Sequence, residues 1–174
     1  LLSDPFYNDN KHVKNLINFT FSLLSNDIFL SEIDISLDLF INQIIHLLLT
    51  NIKNNIVIDT TKEIMNILPF KVNVEKFFKS INTFLNIKNE VVLLQILLNS
   101  IKNFVMNNKS QNLEGILPIF IEGVLDLLNH PMSEIRKLAV YCCVEIYMIL
   151  GRKFDVYFET LPKSQQNLIH LFIK

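Results

Sequence analysis

Residues Leu117–Leu150 read LPIFIEGVLDLLNHPMSEIRKLAVYCCVEIYMIL, and the fold is read outward from this stretch. Its first half sets Leu117, Phe120, Ile121, Val124, Leu127 and Leu128 at helical spacing, with Pro118 where a first turn tolerates it. Asn129-His130-Pro131-Met132 breaks the pattern, and Ser133 is suited to cap a second helix. Beyond it, Ile135, Leu138, Ala139, Cys142, Ile146, Ile149 and Leu150 share one helical face. Val140, Cys143, Val144 and Tyr147 make a second stripe. A helix that is apolar on two sides needs neighbours on both. The stretch is therefore a helical hairpin inside a larger stack.

The hairpin recurs. Asn51-Ile52-Lys53-Asn54-Asn55-Ile56-Val57 and Asn86-Ile87-Lys88-Asn89-Glu90-Val91-Val92 share one form, N-I-K-N-x-[I/V]-V. Each follows an apolar helix (about 37–50 and 73–85) and opens another (about 54–68 and 89–107). A looser copy runs from Leu1-Leu2-Ser3-Asp4-Pro5 to a helix opening at Lys11. Second helices thus begin near 11, 54, 89 and 133, about 35–44 residues apart, close to the period of HEAT-type solenoids. After Gly151, a suitable C′ residue, a short helical turn (about 154–160) and a helix over about 164–173 complete the pattern. The expectation is an all-α solenoid of antiparallel hairpins, HEAT-like, with about 3.5 repeats and a C-terminal capping helix. Residues 1–174 then form one domain with a truncated first repeat. A start without Met and an end inside a periodic apolar pattern read as cut points in a longer protein.

Composition narrows the functional classes. Half of the 174 residues are hydrophobic, only three are Gly, and 16 Lys+Arg face 17 Asp+Glu. So little Gly argues against dinucleotide loops and P-loops. A net charge of −1 supplies no basic surface for nucleic acid. No apolar run approaches the ~18–20 residues of a membrane span. With 24 Ile, 21 Asn and 14 Lys against one Ala and two Arg, composition also reports an AT-rich genome. Cys142 and Cys143 are adjacent, and on a helix their side chains diverge by about 100°; they read as buried thiols. The four His stand singly, without metal-ligand spacing. No nucleophile–base arrangement appears, so neither an enzyme nor a cofactor is expected.

Residues 113–174 also carry a resemblance. Ile116-Leu117-Pro118-x-Phe120-Ile121-x-Gly123, then Ser133-Glu134-Ile135-Arg136-Lys137-Leu138-Ala139-Val140-Tyr141-Cys142-Cys143-Val144-Glu145-Ile146-Tyr147-x-Ile149-Leu150-Gly151, resembles the last TOG domain of the CLASP family of microtubule regulators. The tail Tyr157-Phe158-Glu159-Thr160-Leu161-Pro162-Lys163-Ser164-Gln165…Leu168-Ile169-His170-Leu171-Phe172-Ile173-Lys174 is similar to the family's ending. Leu138 and Glu145 depart from it, standing where small residues are usual, and the clustered Arg of metazoan members is missing.

The resemblance implies a paddle of HEAT repeats whose intra-repeat turns contact tubulin, in a protein of the microtubule cytoskeleton and spindle. Here those turns are Ser3–Lys11, Asn51–Asn55, Asn86–Asn89 and Asn129–Arg136. Tubulin or a microtubule-associated protein is then the partner, and the isolated domain a monomer. Candidate contacts are Phe6, Tyr7, Lys11, Lys53, Lys88, Ser133, Arg136 and Lys137. A slight cationic excess on that edge, against Asp27, Glu32 and Asp34 in the connection 26–35, has the sign needed for an acidic partner. Each candidate has a plain alternative. Arg136 can hold neighbouring turns together, the lysines can be solvated, Phe6 can pack inward, and His130 can serve a helix C-terminus. The competing function is a HEAT scaffold binding a helical or linear-motif adaptor without tubulin contact.

Overall fold

The computed structural model describes residues 22, 36–108 and 110–173. Among them the chain is helical without strands: α1 (Leu37–Thr50), α2 (Asn55–Ile67), α3 (Val74–Leu85), α4 (Val91–Asn107), α5 (Ser110–Asp126), α6 (Ser133–Leu150), α7 (Asp155–Phe158) and α8 (Lys163–Phe172). Helices of like parity stack: α1 on α3 on α5 in one layer, α2 on α4 on α6 in the other. Within each hairpin, α1 meets α2, α3 meets α4 and α5 meets α6. This is an all-α solenoid of antiparallel hairpins. Helix α8 lies against α6 and closes the C-terminal end.

The two-stripe pattern becomes two-sided burial. On α4, Leu93, Leu94, Ile96, Leu97, Leu98, Ile101, Phe104 and Val105 are all buried, because the helix touches α2, α3 and α6. On α6 both stripes are covered, Ile135, Ala139, Cys142 and Ile146 as well as Val140, Cys143 and Val144. Phe77, Phe78, Phe104 and Phe120 join α3, α4 and α5 through edge and stacked contacts. Tyr147, Phe158 and His170 make a second aromatic group under the cap. Gly123 sits where α5 crosses α3: a Cβ there would lie 2.9 Å from both Asn82 Oδ1 and Leu85 Cδ1.

Polar links between repeats follow the same period. Ser80 Oγ donates to the Asp38 carboxylate, Asn103 Nδ2 donates to Asn66 Oδ1, and Cys142 Sγ donates to the Leu98 carbonyl, across 42, 37 and 44 residues. Each joins positions one repeat apart. Asparagine does the end-work that glycine does elsewhere. Asn54 and Asn73 accept backbone N–H bonds at helix starts, while Asn51 and Asn108 donate from Nδ2 to last-turn carbonyls. Only Gly151, at φ 54°, has a positive φ among the described residues.

Two local expectations are corrected. Pro118 lies inside α5, since that helix begins at Ser110 and not at Leu117. Burial of Leu113 and Ile116 carries the apolar stripe upstream. The carbonyl of Glu114, which loses its N–H partner, belongs to the solvent side, where Glu114 and Pro118 are both exposed. Ser133 does not cap α6: Met132 holds the N-cap position and no side chain caps it.

Burial of the thiols has a direct consequence. Removal from water pushes the Cys142 thiol up to about 12 and raises that of Cys143 as well. Ellman's reagent at pH 8 is expected to leave both unmodified in the folded chain and to titrate both in denaturant. Above the free-thiol value of 9.0 the unfolded chain loses these protons and the folded chain keeps them. Stability therefore falls as pH rises through that region. Prompt labelling without denaturant would contradict this packing.

Candidate functional site

The stacking carries the turns at 51–54, 86–90 and 129–132 to one edge. Lys53 is exposed in the first turn. Lys88 is exposed in the second, its Nζ 3.2 Å from Asp126 Oδ2. Both groups are more than half exposed, so this ion pair adds little stability. Asp126, at the end of α5, is a carboxylate the turn sequences alone do not place on the edge. Glu134 accepts from Gln95 Nε2 at 3.0 Å. Phe6, Tyr7, Lys11 and the acidic connection 26–35 lie outside the described residues.

The third turn is held by its own side chains. Arg136 Nη1 donates to the carbonyls of His130 and Pro131, both at 2.8 Å. The arginine thus fastens its own turn rather than bridging to a neighbouring one. The bridge belongs to His130, only 2% exposed. The Met132 N–H donates to His130 Nδ1 at 3.1 Å, which leaves the proton on Nε2; that nitrogen lies 2.8 Å from the Lys88 carbonyl and donates to it. One imidazole therefore fixes the second turn against the third. The His130 backbone also holds the C-cap of the 3₁₀ turn Leu127–Asn129, where its N–H donates to the Leu127 carbonyl, as the sequence expectation had it. Its signal is slight: a lone His before Pro131, in a position whose partner lies 42 residues upstream.

Ser133 and Lys137 are exposed at the start of α6. Lys137 Nζ stands 5.7 Å from the centroid of the Tyr141 ring, within cation–π range. Beside them lies a groove of about 320 Å³ between α6 and α8, with Ser133, Arg136 and Lys137 among its lining residues. So Ser133, Arg136 and Lys137 come together on one surface, with Lys88 one repeat away and Lys53 two.

Among the described residues no group of three or more His, Cys, Asp or Glu could hold a metal ion. No helix among them is long and apolar enough to cross a membrane.

No family model matches the chain. Over 64 residues, 37% of its length, it is 36% identical to CLIP-associating protein 1-A of Xenopus laevis. Over the same length it is 34% identical to CLIP-associating protein 1 of Xenopus tropicalis. CLIP-associated protein of Arabidopsis thaliana is 28% identical over 75 residues, 43% of the chain. The matched stretches span 4–5% of the length of these relatives. Over about two-fifths of its length, this all-α solenoid of helical hairpins is thus similar to CLIP-associating proteins.

Proposed function

We propose that this chain is a non-catalytic domain of a microtubule regulator, a TOG-like array over residues 1–174 that binds tubulin through its intra-repeat turns. The observation that carries the reading is the edge itself: three turns in register, with Lys53, Lys88 and Lys137 reaching solvent from a frame that His130 and Arg136 hold. Exposed lysines on a preformed line steer and orient an acidic protein without folding cost at the moment of contact. Microtubules, the spindle included, are then its place of action, and as an isolated domain it is a monomer.

Co-sedimentation with αβ-tubulin polymer tests the reading. Changing Lys53, Lys88 and Lys137 together to Glu reverses six units of charge and is expected to weaken binding at least about tenfold at low salt. Arg136 is left in place because its loss would loosen the turn. Wild-type binding should weaken as salt shortens the ~10 Å screening length at 0.1 M. Equal sedimentation of wild type and variant would remove tubulin contact from this edge.

A further inference from the structure

Among the described residues, Lys62 pairs with Asp59 and Lys79 with Glu75, each within one helix. Two further pairs reach between elements. Lys153, after α6, meets Glu114 near the start of α5. Lys88 meets Asp126 at the end of α5, and of the four this pair lies on the edge that the three turns form. The edge has other acids, but they are placed differently. Glu134 is engaged by Gln95, and Glu90 stands half-buried at the start of α4. Asp126 is the acid that meets an edge lysine.

Stability does not account for it. Asp126 closes α5, where the helix dipole disfavours a negative charge. With Lys88 52% and Asp126 61% exposed at their side chains, the bond between them adds little. Nor does Lys88 need a carboxylate to keep its place, because His130 Nε2 already holds its carbonyl at 2.8 Å from the third turn. An acid that breaks a local rule without a stabilising return, beside a residue of the edge, calls for a reason in function.

We propose that Asp126 is an internal competitor for Lys88: it occupies the ammonium that an acidic residue of tubulin would take, and so holds the edge below its full affinity. This rests on the tubulin reading and names a restraint built into that same edge. A carboxylate 3.2 Å from Nζ cancels most of the lysine's field at a distance. On docking, the partner's carboxylate must displace Asp126 or lie beside it, and like charges side by side oppose the contact. An exposed pair opens readily, so the restraint is graded and not a lock. Were Asp126 instead presenting Lys88 to the partner, its removal would weaken binding. The two roles differ in sign.

Asp126→Asn keeps the shape of the side chain and removes its charge. It is expected to raise the affinity for αβ-tubulin polymer, read by co-sedimentation, about two- to fivefold at low salt, with a gain that shrinks as salt rises. In a Lys88→Gln background the same change should gain much less, because the competition has lost its object. Glu114→Gln is the control. It frees Lys153 from a similar pair about 18 Å away along the same helix, and should leave binding unchanged. Both single variants should melt like wild type, since each removes one exposed pair. Equal or weaker binding by Asp126→Asn would overturn the proposal, weaker binding making Asp126 a presenter of Lys88. A gain that survives whole in the Lys88→Gln background, or that Glu114→Gln reproduces, would overturn it too and leave net charge as the cause. If the triple lysine variant sediments like wild type, the tubulin reading falls and takes the restraint with it. If that variant loses binding while Asp126→Asn gains none, the restraint alone falls.

Discussion

Replacing Phe78 by alanine is expected to cost about 3–5 kcal/mol of unfolding free energy. The ring is fully buried on α3. It stacks on Phe120 of α5 at 4.5 Å and meets Phe104 of α4 and its neighbour Phe77 edge-on at 4.9 and 5.3 Å. One side chain thus connects both helices of its own hairpin with the next repeat. Its removal loses the transfer free energy, leaves a cavity, and ends three aromatic contacts worth about 0.5–1.5 kcal/mol each beyond area. Three packed helices cannot all move to fill the space.

In a solenoid, stability is close to a sum of repeat and nearest-neighbour terms. A break at this junction should therefore also divide the unfolding transition. Urea denaturation followed by circular dichroism should show a lower midpoint and a broader or two-step curve for Phe78→Ala. Phe70→Ala, at a ring 47% exposed, should change the midpoint little. A loss below about 1.5 kcal/mol for Phe78→Ala would mean that the repeats are not joined here.

What the amino-acid sequence disclosed, and what it hid, divides along the same line of local against repeat-to-repeat contact. The helices placed near 37–50, 54–68, 73–85 and 89–107 are found at Leu37–Thr50, Asn55–Ile67, Val74–Leu85 and Val91–Asn107. The apolar stripes and the Asn-rich turns are local signals, and they mark ends to within a residue or two. The capping helix was legible for the same reason. Pro118 misled because a first-turn position is its cheapest place, and the residues that make an interior position tolerable, Leu113 and Ile116, lie upstream of the turn rule.

The site was legible only as positions. Lys53, Lys88 and Lys137 could be placed at an edge only through the resemblance, which implies that the intra-repeat turns share one. That Lys88 faces Asp126, that His130 reaches the Lys88 carbonyl, and that Gln165 ties α8 to the third turn all depend on residues 36–42 positions apart meeting. Periodicity gives the direction of a side chain on its helix, but not its partner one repeat away.

His130 is where that hidden layer can be tested most sharply, because its two ring nitrogens do separable jobs. His130→Ala is expected to lower stability by about 2–3 kcal/mol, since it leaves the Lys88 carbonyl and the Met132 N–H without their partner and opens a void at a site only 2% exposed. Two replacements divide the loss. Asparagine carries an acceptor near the place of Nδ1 and can take the Met132 N–H, yet it is too short to reach Lys88. Glutamine carries a donor near the place of Nε2 and can reach the Lys88 carbonyl.

Hydrogen exchange at Met132 should therefore be protected in wild type and His130→Asn, and fast in His130→Gln and His130→Ala. Tubulin co-sedimentation should follow the other bond, retained by His130→Gln and reduced by His130→Asn, because the relative placement of the 86–90 and 129–132 turns depends on the cross-turn link. If all three variants bind tubulin like wild type while stability falls, the imidazole serves the fold alone. If the alanine variant loses less than about 0.5 kcal/mol, the two turns are held by the helix packing beneath them and the imidazole is incidental.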